Sequence, residues 1–152
     1  MLWGALYGAV WSLAPGCISK LLSTPGEAAT VILAGAVTGM LVSAALAPGL
    51  ARCNRWQAVC LGVVSLPLGA GLFGFVASWI HWLVMKLTGT HYRFFMQIVE
   101  PPGHIFDPLQ TARDYALSAT LSVLGIVFIP LAIFTTLHLR RRLVPALSVV
   151  QA

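Results

Sequence analysis

Four stretches of this chain carry no Asp, Glu, Lys or Arg: 1–19, 28–51, 56–85 and 115–139. A helix that rises about 1.5 Å per residue needs about 20 apolar residues to cross a hydrocarbon core of roughly 30 Å. Each stretch meets that length or comes within a residue of it. Of the 152 residues, 59% are apolar and only 9% charged, where an ordinary soluble domain has about a quarter charged. The pattern excludes a water-soluble fold. It predicts an all-α polytopic membrane protein of four transmembrane helices forming a single helical-bundle domain over residues 1–152. The spans fall at about 1–22, 25–48, 55–87 and 108–139, with an interfacial outer loop over 88–107 between helices three and four.

The first stretch, with Leu13-Ala14-Pro15-Gly16-Cys17, has a faint likeness to a lipoprotein signal. It lacks the basic leader such signals carry, so it is read as a span. Three of the expected helix starts share one chemistry: Thr24-Pro25-Gly26-Glu27, Asn54-Arg55-Trp56-Gln57 and Asp107-Pro108-Leu109-Gln110. In each, a capping residue precedes Glu or Gln by three positions, so two side chains can satisfy backbone N–H groups that have no partner inside the helix. The second span is expected to stop at Pro48-Gly49 and the fourth at Leu139, with a frayed basic tail beyond. Pro67 and Pro130 each remove a donor inside a span and predict kinks.

The net charge of +5 reports orientation in such a chain, and nucleic acid is not an expected partner. Arg52, Arg55, Arg140, Arg141 and Arg142 lie on one side. The other side holds Lys20, Lys86, Arg93 and Arg113 together with all four acids. The first side is assigned to the cytoplasm, which places both termini inside a bacterial-type inner membrane. Tyr115, Trp56, Trp79 and Trp82 mark expected headgroup boundaries. Cys17, Cys53 and Cys60 form no disulfide framework, since Cys53 and Cys60 would stand about 10 Å apart along one helix.

Small residues recur every fourth position: Gly4, Gly8, Ser12, Gly16; then Gly35, Gly39, Ser43, Ala47; then Ala70, Gly74, Ser78. Such rows line one helix face and let backbones approach closely. They serve either packing within the chain or docking onto other transmembrane subunits, with Gly35, Gly39, Ser43, Gly74 and Ser78 the candidate contact residues. In the outer loop Phe94, Phe95, Met96 and Phe106 offer large apolar contact area to a protein partner or to lipid.

His81, between Trp79 and Trp82 and on the face of Ala70 and Gly74, is the candidate cofactor-binding residue. It is expected to tie helices by a hydrogen bond or, in the sharper reading, to ligate haem or chlorophyll or to stand beside a quinone. The spacing of His91, His104 and Asp107 matches no metal motif, and no metal site is assigned. There is no HExxH, no GxSxG and no phosphate-cradling loop with lysine, so no catalytic residue is assigned and the chain is not read as an enzyme. Ion pumps and proton-coupled carriers hold charged side chains at membrane depth, and the four charge-free stretches offer none there. The leading expectation is an accessory or structural subunit of a larger membrane complex, contacting lipid and other transmembrane subunits or further copies of itself. The alternatives are a small transporter or channel with proline-kinked helices, and a cofactor-binding membrane anchor that uses His81.

Overall fold

The computed structural model describes residues 2–19, 25–88, 107–121 and 123–150. Among them 97% are helical and there is no strand. Five helices follow in order: α1 (Leu2–Ser19), α2 (Pro25–Arg52), α3 (Arg55–Thr88), α4 (Pro108–Leu121) and α5 (Val123–Val150). The all-helical bundle expected from the sequence is therefore present. Among the described residues two helices are long and apolar enough to cross a membrane, over Ala28–Arg52 and Arg55–Val84. Their 25 and 30 residues correspond to roughly 37 and 45 Å of rise.

Two of the helix starts form as the sequence predicts. Asn54 N donates to Gln57 Oε1 at 2.9 Å and Gln57 N donates to Asn54 Oδ1 at 2.9 Å, a reciprocal capping box that opens α3. Asp107 Oδ1 accepts from Leu109 N and Gln110 N, both at 3.0 Å, and opens α4. Thr24 lies outside the described residues.

Two boundaries differ from expectation. α2 passes through Pro48 and ends at Arg52. A proline removes one hydrogen bond, but here the next turn is anchored. Leu50 is fully buried against Ala58 and Leu139, and Cys53 N donates to Gly49 O at 3.0 Å. The span expected over 108–139 is helical on both sides of residue 122, which lies outside the described residues, as α4 and α5. The basic tail is also helical, since α5 continues through Arg140–Arg142 to Val150. Arg140 supplies one reason: its Nε donates to Cys53 O at 2.8 Å, which satisfies a carbonyl in the turn between α2 and α3.

The most extensive contacts join α1 to α2 and α3 to α4, while α5 touches every other helix. The interior is built from small side chains. Among the described residues its apolar members are Val31, Ala34, Leu50, Ala58, Ala77, Ala132 and Leu139. Larger residues such as Leu33, Val64, Leu68, Ile126 and Phe134 face outward. That distribution is the reverse of a soluble core, where large apolar side chains fill the inside.

Candidate functional site

The rows of small residues on α1 and α2 meet each other. A Cβ placed on Gly4 would fall on Ser43 Oγ, one on Gly8 on the carbonyl oxygen of Gly35, one on Gly35 on Ser12 Oγ, and one on Gly39 on the carbonyl oxygen of Gly4. The helices run antiparallel in nearly direct backbone contact, which side chains larger than hydrogen at the four glycines would prevent. Ser12 and Ser43 are buried at either end of the crossing. Each hydroxyl returns its proton to its own helix, to Ala9 O at 2.8 Å and Met40 O at 3.0 Å.

α3 is used in the same way at two levels. A Cβ on Gly74 would stand 2.9 Å from Thr111 O and 3.0 Å from the Tyr115 ring, and one on Gly71 would stand 3.2 Å from Ala112 O, both against α4. Nearer its start, Gly62 faces Thr136 and Ala132 of α5. Ser78 Oγ donates to Gly74 O at 2.8 Å. The structure thus places Gly35, Gly39, Ser43 and Gly74 on faces covered by the chain's own helices. Gly62 and Gly71 contribute as well; Gly62 lies two fourfold steps before Ala70, beyond Leu66, and Gly71 falls outside the row. Phe94, Phe95, Met96 and Phe106 lie outside the described residues.

Between these crossings lies a partly open cleft of about 260 Å³ lined by residues of all five helices. Its walls are mostly aliphatic and aromatic: Tyr7 and Trp11 of α1, Val42 and Leu46 of α2, Leu66 and Phe73 of α3, Tyr115 of α4 and Phe128 of α5. Two aromatic pairs stiffen it. Trp11 and Phe128 stack with centroids 5.7 Å apart and planes 18° apart, and Phe73 meets Tyr115 at 5.6 Å. Tyr115, expected at a headgroup boundary, thus packs inward on α3.

Among the described residues no Asp, Glu, Lys, Arg or His lines the cleft, and the polar side chains there are hydroxyls and the Trp11 indole. Four of the hydroxyls give their protons to carbonyls of their own helices. Ser65 donates to Gly62 O at 2.9 Å, and Thr136 to Ala132 O at 2.7 Å. Trp11 Nε1 donates to Thr135 Oγ1 at 3.2 Å and links α1 to α5. Thr38 differs. Only 6% of it is exposed, and its Oγ1 is buried with no hydrogen-bond partner. A hydroxyl held in that state is costly unless something else completes it. Thr38, Thr135 and Trp11 went unnoticed in the sequence, because a threonine that bonds back to its helix and one that does not look identical there.

Neither His81 nor His138 lines the cleft. His81 sits on the C-terminal half of α3 beside Trp79 and Trp82, whose rings are 5.8 Å apart. No group of three or more His, Cys, Asp or Glu that could hold a metal occurs among the described residues. His138 of α5 is half-buried in a box of aromatic rings. Trp3 lies at 5.2 Å, Tyr7 at 5.7 Å and Phe134 at 6.2 Å. The Arg142 guanidinium covers Trp3 at 5.2 Å, and its Nε approaches His138 Nε2 at 3.5 Å. This box and the Arg140 bond draw the start of α1, the turn after α2 and the basic run of α5 to one end of the bundle.

Comparison of the chain with protein families, curated proteins and solved structures returns no match.

Proposed function

We propose that the chain is a multi-pass membrane protein that crosses a bacterial-type inner membrane four times, with both termini in the cytoplasm. In this reading it serves as a non-enzymatic accessory subunit of a larger membrane assembly. α2 and α3 supply two crossings. α1, whose 18 residues rise roughly 27 Å, and α5 supply the others. The gathering of Arg52, Arg55, Arg140 and Arg142 at one end of the bundle supports the orientation, because a cluster of arginines resists translocation.

The observation that carries the reading is a stripe on α3 that no other described helix covers: Val64, Leu68, Trp79 and Leu83, with Leu68 72% exposed. These positions fall within one side of the helix, about 100° wide at 3.6 residues per turn. The small-residue faces are already filled by α1 and α4, so contact with another subunit falls to this stripe and to Phe94, Phe95, Met96 and Phe106. Lipid covers the rest.

The test is a photo-crosslinking residue at Leu68 in native membranes. A discrete protein adduct together with a native mass above that of the 16.2 kDa chain supports the reading. A monomer in mild detergent, with only lipid adducts at Leu68, removes it.

A second reading, a small transporter or channel, is favoured by the cleft and by Pro67 in its α3 wall, next to the lining residues Ser65 and Leu66. Solute flux in reconstituted vesicles that is lost in Pro67→Ala would move the assignment there.

A further inference from the structure

We infer that the cleft is a binding site for an uncharged, flat, carbonyl-bearing ring compound of the quinone type. Four features of the cleft define that chemistry, and none depends on the chain being a subunit of something larger.

Charge comes first. The described residues line the cleft with apolar groups, neutral hydroxyls and one indole, which offer no charged partner to an ion, so a charged metabolite would lose its hydration without compensation. Size comes second. A cavity of about 150 Å³ holds benzene; about 260 Å³ suits a two-ring compound of the size of naphthalene with its substituents. Shape comes third. The near-parallel Trp11 and Phe128 rings on one wall and the Phe73 and Tyr115 pair in the lining favour a planar guest that can lie against aromatic faces.

Hydrogen bonding decides the functional group. Ser12, Ser43, Ser65 and Thr136 give their protons to carbonyls of their own helices. Thr38 does not, although it is more than nine-tenths buried in the lining. Thr135 receives the Trp11 N–H on its oxygen, which leaves its own proton to give. Thr38 and Thr135 therefore each keep a proton to give, and a guest with acceptor oxygens complements them. A ring carbonyl has that character. The cleft is partly open, and such compounds partition into lipid, from which a membrane protein can take them.

The experiment uses the full chain in nanodiscs with Trp3, Trp56, Trp79 and Trp82 replaced by Phe, so that emission reports Trp11 alone. 1,4-Naphthoquinone is titrated, and naphthalene serves as the guest of like size without carbonyls. The expected result is saturable quenching by the quinone, with an apparent Kd raised about fivefold to tenfold by Thr38→Val, the loss of one hydrogen bond. Naphthalene should bind more weakly and be indifferent to Thr38→Val.

Gly69→Leu provides the filled cleft. A Cβ at Gly69 meets only Val42 Cγ2 at 3.9 Å, so the backbone accepts it while the side chain enters the space. Saturable quenching should vanish in that variant while helical circular dichroism is retained. Quenching that is linear in quinone and equal in Gly69→Leu would show partition into lipid only and overturn the inference. Saturable binding of equal strength for both guests and unchanged in Thr38→Val would show a merely greasy cavity, and would overturn it as well. Thr38→Val is nearly isosteric, so the second arm stands even if Gly69→Leu fails to fold.

Discussion

Gly8→Ala is the smallest change that tests how this bundle is held together. The added carbon would fall on the carbonyl oxygen of Gly35 and stand 2.8 Å from Gly39 Cα, where carbon atoms normally rest about 3.5–4.0 Å apart. Both obstacles are backbone, so neither can rotate away. Restoring normal contact requires α1 and α2 to separate by about 1 Å, and a gap of that size forfeits a quarter to a half of each dispersion contact across the crossing. Overpacking of this kind costs about 1–3 kcal/mol, and the rigid neighbours put Gly8 in the upper part of that range. The gain in helix propensity of about 0.5–1 kcal/mol offsets part of it, leaving a net loss of about 2 kcal/mol, or roughly thirtyfold in the unfolding equilibrium. Gly49→Ala is the matched control. Its Cβ would meet only Leu61 Cδ2 at 3.8 Å, an ordinary contact, so the propensity term acts alone and the variant should be slightly more stable. Reversible unfolding in mixed micelles, followed by circular dichroism for both variants, reads the difference. If Gly8→Ala is as stable as Gly49→Ala, the backbone contact between α1 and α2 is not what holds them.

Removing the guanidinium in Arg140→Gln should cost about 1 kcal/mol through the bond to Cys53 O, whereas Arg141→Gln, exposed on the same turn, should be neutral in the same assay. Asp107→Ala should free the Leu109 and Gln110 amides, destabilise the first turn of α4 by about 1 kcal/mol and speed hydrogen exchange at those two amides roughly fivefold, with α3 amides unchanged. For the four-pass arrangement, a cysteine at Trp56 should label only from the cytoplasmic side and one at Leu109 only from the opposite side, in a chain whose own cysteines are replaced by serine. Labelling of both from one side would refute the arrangement.

What could be read from the chain follows the range of the interaction. The capping box at Asn54 and Gln57 is local, complete within four residues, and it forms as the sequence spells it. The rows Gly4-Gly8-Ser12 and Gly35-Gly39-Ser43 identify close-packing faces, because spacing alone sets which residues share a helix side. They do not identify the covering partner, which depends on where another helix is placed. Pro48 misleads for a related reason. It is a local stop signal, and the helix continues because Leu50 finds Ala58 and Leu139 from two other helices. The Arg140 bond spans 87 positions, so a run that reads only as an orientation signal also closes the end of the bundle. Thr38 was illegible because its importance lies in a hydrogen bond it does not make, and only the positions of its neighbours reveal that.

The cleft and the small-residue crossings have one cause. Among the described residues α1 touches neither α3 nor α4, and α2 does not touch α4. The bundle is two tight antiparallel pairs, α1 with α2 and α3 with α4, joined through the α2–α3 contact and bridged by α5. Glycine draws the backbones together within each pair. It also leaves the bulky residues that flank those faces, Tyr7 and Trp11 on one pair and Phe73 and Tyr115 on the other, standing apart across the space between the pairs. A cleft is the consequence of pairing this close with only one helix to fill the remainder. Anything bound there touches both pairs at once and adds contacts where the chain has fewest of its own. Occupancy should therefore stabilise the association of the two pairs more than the pairs themselves. Binding in the cleft, the position of α5 and the crossing angle between the pairs are linked by that geometry.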